Sequence, residues 1–118
     1  MNIQHKDWYK LSNEHIKKLY FRDSDLFISL LASTSPRKGV KANWNLAHKI
    51  YVNVISGFNP TDNIKGIMNA HKNNIKRSLK NTPLSGLKVE NFRLALMGDL
   101  NAVVIDTWIL KYFKFTKS

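Results

Sequence analysis

The chain has 118 residues and a mass of 13.7 kDa, a length that favours one domain around a single hydrophobic core. Nineteen Lys and Arg against eight Asp and Glu give a formal net charge of +11, which favours polyanionic partners such as nucleic acid or an anionic membrane surface. The sequence contains no Cys, which excludes disulfides, cysteine-ligated zinc or iron–sulfur sites and a cysteine nucleophile.

The length of the apolar segments indicates where in the cell the protein is expected. None approaches the roughly 20 residues of a membrane-spanning helix, and Met1 to Lys10 lacks the apolar segment of a signal peptide. We therefore expect a cytoplasmic protein that does not insert into a membrane and that is nucleoid-associated if it binds DNA. The four His are scattered without HExxH or paired helical spacing, so the sequence predicts no metal site and no cofactor.

Helical spacing of apolar residues recurs along most of the chain, and no run alternates strictly between apolar and polar residues. The predicted fold class is all-α: a compact bundle of about six helices in one domain, residues 1–118. The first helix is predicted over about 13–22. The second begins at Ser24 or Asp25, carries a strongly apolar segment and ends near Ser33 to Pro36.

The third helix is predicted to begin near Arg37 or Val40 and to end at about Ser56, where Gly57 supplies a stop signal. Its apolar stripe is predicted to consist of Val40, Trp44, Ala47, Tyr51, Val54 and Ile55.

The later helices follow turn signals. A helical pattern begins after Pro60 and continues to Lys80, as one helix or two. His71 lies on its apolar stripe and is interpreted as a packed histidine. Leu87 to Met97 forms the next predicted helix, and Val103 to Phe113 a last helix or a strand-like lead into one.

Basic residues recur at helical spacing in the fourth helical pattern and cluster again at the start of the third helix. Such a face can follow a DNA backbone, although a solvated charged face is the more frequent explanation of any single run. The predicted nucleic-acid contacts in these two groups are Lys72, Lys76, Arg77 and Lys80, together with Arg37, Lys38 and Lys41.

The segment LKNTPLSGLKVENFRLALMGDLNAVVID, from Leu79 to Asp106, carries the most information. Pro83 and Gly86 form a Pro-x-x-Gly turn, Lys88 follows two residues later, and Asp106 lies in the sequence VIDTW. This arrangement resembles the helix-hairpin-helix DNA glycosylase superfamily, which includes endonuclease III-like enzymes. Upstream, LFISLLASTSPRKGVKANWNLAHKI is similar to the first core helix, turn and following helix of that superfamily, so the likeness covers roughly residues 26–112.

The resemblance implies duplex DNA as the partner and a glycosylase that flips a damaged or modified base and cleaves its N-glycosidic bond. Asp106 would then stabilise the developing sugar cation or orient the nucleophile, and Lys88 would be the amine nucleophile of a lyase step. The hairpin residues expected at DNA are Pro83, Leu84, Ser85, Gly86 and Leu87. The chain differs from the superfamily in lacking the first hairpin Gly, in having Trp108 after Asp-Thr instead of His, and in having little counterpart of the second helical domain.

Interpretations without catalysis remain open. Asp106 could cap a helix, and Lys88 could contact a phosphate or simply be solvated. The protein would then be a non-catalytic helix-hairpin-helix module that binds duplex phosphates. A third alternative is a basic protein that contacts another protein or anionic lipid through Trp8, Tyr9 and its cationic helices. A homo-oligomer could complete the missing half of a cleft.

Overall fold

A computed structural model of the protein describes residues 5–99. These residues form five α-helices, namely α1 (His5–Tyr20), α2 (Ser24–Ser33), α3 (Val40–Ile55), α4 (Asn69–Leu79) and α5 (Leu87–Leu96). A short 3₁₀ turn, Phe21–Asp23, joins α1 to α2. No strand occurs in this part of the chain, so the all-α prediction is confirmed for it.

Helix α2 forms the centre of the bundle. All of its residues except Asp25 and Leu26 are buried, and it contacts each of the other four helices. Its apolar residues surround the whole helix instead of forming one stripe, which is the pattern of a helix that is covered on every side. Burying a large apolar side chain such as Phe27 contributes roughly 1.5–3 kcal/mol, so this helix supplies much of the stability of the core.

The number and bounds of the helices differ from the predictions. Five helices are described where about six were expected, and the predicted helix from Val103 to Phe113 lies outside the described residues. Helix α1 begins at His5 instead of about residue 13, because Tyr9, Asn13 and Ile16 already form its buried stripe.

The segment after Pro60 was predicted to be helical, but residues 59–68 are not, and α4 begins only at Asn69. Side chains bind the backbone of this segment locally. Asn53 Nδ2 donates to the carbonyls of Pro60 and Asp62 at 3.1 and 2.9 Å, and the Asn59 side chain accepts from the Thr61 N–H at 3.2 Å. Such bonds compete with the helical pattern.

The buried face of α3 is rotated from the predicted stripe. Its buried residues are Asn43, Leu46, Ala47 and Ile50, whereas Ile55 is 56% exposed. The reason is a polar contact: Thr34 Oγ1, at the end of α2, donates to Asn43 Oδ1 at 2.7 Å. This bond turns a polar position of α3 toward the core and moves part of the apolar stripe to the edge of the interface.

Helices α3 and α4 are each followed by a residue with a left-handed backbone conformation. Gly57 has φ +82° after α3, and the Phe58 N–H donates to the Asn53 carbonyl at 2.9 Å, so the predicted stop at Gly57 is confirmed. Asn81 has φ +54° after α4, and the Thr82 N–H donates to the Arg77 carbonyl at 3.0 Å. Both ends therefore show the hydrogen bond of the Schellman motif. None of the described helices has the length and apolar character that crossing a membrane requires.

Candidate nucleic-acid interface

The turn between α4 and α5 ends at Gly86, which has φ +104° and ψ 126°. This backbone conformation is strained for any residue with a Cβ atom. A Cβ at this position would also lie 3.0 Å from Val89 Cγ2. The turn therefore requires the glycine that the sequence supplies before the first residue of α5.

The buried side chain of Asn74, on α4, fixes the middle of the turn. The Ser85 N–H donates to Asn74 Oδ1 at 2.7 Å, and Asn74 Nδ2 donates to the Ser85 carbonyl at 3.0 Å. A paired amide contact of this kind holds the Ser85 peptide in one orientation. Arg77 Nη1 also donates to the Pro83 carbonyl at 3.3 Å.

Glu90, on α5, fixes the beginning of the turn. Its Oε1 accepts from the Leu84 N–H at 3.0 Å, and its carboxylate receives two hydrogen bonds from Arg93 at 2.6 and 2.7 Å. Burial acts to raise the pKa of Glu90, but the hydrogen bonds from Arg93 and Leu84 outweigh it and lower the pKa. The carboxylate thus stays charged and anchors the turn, with the Leu84 side chain packed into the core.

These contacts divide the predicted turn residues into two groups. The N–H groups of Leu84 and Ser85 already bind side chains of the protein. The first N–H groups of α5 have no acceptor within the helix, as at every helix N-terminus, and no side chain in the described part of the chain caps them. Gly86, Leu87 and Lys88 are exposed there, so their N–H groups are the ones available to an anion.

The basic residues of α4 are exposed on the side opposite its buried residues. Lys72 and Lys76 line a cleft of about 370 Å³, with Ile75 and Leu79 on its wall and Asn59, Pro60 and Thr61 across it. Lys80 follows one turn later. Arg77 is exposed as well, but its bond to the Pro83 carbonyl gives it a role in bracing the turn.

Arg37, Lys38 and Lys41 surround the N-terminus of α3. His71, in the first turn of α4, bonds to the Pro36 carbonyl at 3.1 Å, so this second basic group lies near the start of α4. The turn at Gly86 follows the other end of α4, which is roughly 16 Å long at 1.5 Å per residue. Because Lys72 directly follows His71, the predicted basic contacts extend from this second group along α4 to Lys80, just before the turn.

His71 itself is completely buried. Its Nδ1 accepts from the Met68 N–H at 3.1 Å, so the other nitrogen, Nε2, carries the proton and donates to the Pro36 carbonyl. Burial lowers the pKa of His71; the bond to Pro36 opposes this, and the charge of Lys38 adds to it. The interpretation of His71 as a packed histidine is confirmed, with both ring nitrogens bonded.

Of the two predicted catalytic residues, the structure describes Lys88 alone. Lys88 is the second residue of α5 and is exposed, so the burial that would activate an amine nucleophile is not seen there. Asp106 lies outside the described residues. Trp44, which lies on the predicted apolar stripe of α3, packs against Phe27 with ring centroids 5.3 Å apart.

Asn74 and Glu90 shape the turn but were not predicted from the sequence. Their only signal is that they lie in the helices on either side of the Pro-x-x-Gly segment. Among residues 5–99 no group of three His, Asp or Glu is placed to hold a metal ion. Comparison of the chain with known protein families, characterised proteins and solved structures gives no match.

Proposed function

We propose that this protein binds duplex DNA through the turn before α5, with the exposed lysines of α4 beside it. The observation that carries the proposal is the combination of a fixed turn and a helix N-terminus that no side chain of residues 5–99 caps. Asn74 and Glu90 consume the N–H groups of Ser85 and Leu84, while those of Gly86, Leu87 and Lys88 begin a helix without a side-chain cap. A backbone phosphate fits this chemistry, because the N-terminal end of a helix carries partial positive charge.

Charge supports the same proposal. Lys72, Lys76 and Lys80 lie along the exposed side of the helix that leads into the turn. In the part of the chain that the structure describes, the one ion pair joins Arg93 to Glu90, so these lysines remain available to phosphates. Phosphate contacts of this kind supply affinity and orientation without reading sequence.

The more specific form of the proposal is that the protein also excises bases, as the resemblance to helix-hairpin-helix glycosylases suggests. In this form Asp106 acts on the developing sugar cation, and Lys88 forms a Schiff base if a lyase step follows. The exposed position of Lys88 in the first turn of α5 supports contact with DNA. The alternative is a non-catalytic module with the same interface, in which Lys88 only contacts a phosphate.

Labelled duplexes carrying uracil, an oxidised purine, an alkylated base or an abasic site test both forms together. Wild-type protein is expected to bind all of them and to release a base from at least one. Asp106→Asn should abolish base release, and Lys88→Ala should abolish borohydride trapping. Binding without product on any of these substrates would leave the non-catalytic module.

A pair of glycine substitutions, one in the turn and one as its matched control, tests the binding interface. Gly86→Ala is expected to weaken duplex binding, because it disturbs the turn, whereas Gly98→Ala strains a comparable positive φ after α5 where a Cβ has open space. Circular dichroism and thermal unfolding of both variants separate unfolding from a specific loss of binding. The DNA-binding proposal fails if wild-type protein does not bind duplex DNA at low salt.

A further inference from the structure

A second concave site lies between the first half of α3 and the segment before α4. It has a volume of about 250 Å³ and is lined by Lys38, Ala42, Asn45, Leu46, Lys49 and Lys65. We call it the lysine pocket. Four of these residues, at positions 42, 45, 46 and 49, follow i, i+3, i+4, i+7 spacing and so share one side of α3. Lys38 and Lys65 come from the loops that flank the helix.

The charge of the lysine pocket is uncompensated within the described chain. Three ammonium groups line it, and its lining contains no Asp or Glu. None of the three lysines forms an ion pair with a described carboxylate, since the ion pair in residues 5–99 involves Arg93 and Glu90. Like charges that share a small concave surface repel one another. A bound anion would attract all of the ammonium groups and so offset that repulsion.

Lys38 is held at the pocket instead of extending freely into water. It is half-buried, and its Nζ would lie 3.3 Å from a Cβ built on Gly66, which has φ +91°. The ammonium group therefore lies against the backbone of the 64–66 segment. A lysine that is already confined loses less side-chain entropy when it binds a ligand.

The N-terminus of α3 adds partial positive charge. Gly39 is the N-cap residue and offers no side-chain acceptor to the first turn of the helix, and Ala42, in that turn, lines the pocket. The first N–H groups of a helix favour a nearby anion. The end of α3 that carries this partial charge is therefore also the end at which the pocket begins.

We propose that the lysine pocket binds a phosphate group. Lysine is a common phosphate ligand and binds it as a point charge. The Asn45 amide is a further donor at the wall. The volume is several times the roughly 30 Å³ that one water occupies in the liquid, which accommodates a phosphate with part of its hydration. The proposal rests on the pocket itself and does not depend on the interface at Gly86.

Backbone amide chemical shifts of the full chain, followed during titration with inorganic phosphate, test the site directly. The amides of Ala42, Asn45, Lys49 and Lys65 are expected to shift saturably. The double variant Lys49→Gln/Lys65→Gln should bind phosphate about tenfold more weakly or worse, because hydrogen bonds to charged groups are the strong ones. The control Lys17→Gln/Lys18→Gln removes two exposed lysines of α1 and should retain wild-type affinity.

A second titration with a short undamaged duplex identifies the source of the phosphate. If the pocket variant weakens duplex binding more than the control does, the ligand is a phosphodiester of nucleic acid. If only inorganic phosphate is affected, the ligand is a small phosphorylated compound. The proposal is overturned if the pocket amides respond to neither ligand, or if the pocket and control variants lose affinity equally.

Discussion

Three buried polar side chains of α4, His71, Asn74 and Ser78, lie toward the bundle interior, and each has named partners. Ser78 Oγ donates to the Asn74 carbonyl at 2.8 Å and lies 2.8 Å from Ser33 Oγ of α2. An unpaired polar group in this position would cost roughly 1–3 kcal/mol. Because each group needs a particular partner, these bonds restrict the rotation of α4: Ser78 joins it to α2, His71 to the loop after α2, and Asn74 to the turn before α5.

His71 makes stability depend on pH. Its pKa is lowered in the folded chain, so below about pH 6.5, the usual value for histidine, the unfolded chain takes up a proton that the folded chain does not. The free energy of unfolding should therefore be highest above pH 6.5 and fall below it, until His71 is protonated in the folded state as well. Urea unfolding between pH 8 and pH 5 measures this trend.

His71→Gln provides the comparison, because glutamine does not titrate. This variant is expected to be less stable at pH 8, by roughly 1–3 kcal/mol, and to show a smaller loss of stability between pH 7 and pH 5. His15→Gln changes an exposed histidine and should keep the wild-type trend. Equal pH dependence in wild type and His71→Gln would contradict the assignment.

At the scale of elements, α4 and α5 form a pair whose connecting turn is fixed from both sides. Asn74 of α4 holds Ser85, and Glu90 of α5 holds Leu84. The conformation of the turn therefore depends on the positions of both helices. A ligand that binds the turn does not first have to order a loop, which reduces the entropic cost of binding.

Removing the amide of Asn74 should separate these effects from general stability. Asn74→Ala loses both bonds to Ser85, and we expect it to lower the free energy of unfolding by about 1–3 kcal/mol and to weaken duplex binding. Asn73→Ala removes the neighbouring, exposed amide and should change neither property appreciably. Denaturant unfolding and fluorescence anisotropy measure the two quantities, and identical behaviour of the variants would show that Asn74 does not organise the turn.

At the scale of the whole molecule, positive charge outweighs negative charge by 11, and the described basic residues are concentrated in identifiable places. Lys72, Lys76 and Lys80 follow the exposed side of α4, and the lysine pocket lies beside α3. A net charge of this size attracts polyanions from any direction. Its distribution, however, decides which surface they contact.

Salt dependence distinguishes a directed interface from general attraction. Duplex affinity should fall linearly on a plot of log K against log salt concentration. The triple variant Lys72→Gln/Lys76→Gln/Lys80→Gln should reduce the slope by about 2–3, because each phosphate that a lysine neutralises contributes close to one to the slope. Lys10→Gln/Lys17→Gln/Lys18→Gln removes the same charge from exposed positions of α1. Equal slopes for the two variants would mean that the α4 lysines have no special part in binding.

The sequence by itself determined the properties that depend on local pattern and composition. Helical spacing predicted the all-α class, which residues 5–99 confirm. The strongly apolar segment predicted the second helix, and Gly57 predicted the end of α3. These features depend on residues close together along the chain, whose periodicity and turn chemistry can be interpreted without knowing the fold.

Only the tertiary structure decided which side chains meet across the chain. The bond from Thr34 to Asn43 rotates the buried face of α3. Asn74 and Glu90 bind the N–H groups of Ser85 and Leu84 in the turn before α5. Lys38, Lys49 and Lys65 line one pocket. The physical reason is that a buried polar group must find a partner wherever the packing provides one. Lysines distant in sequence come close enough for their charges to act on one ligand only when the fold brings them together.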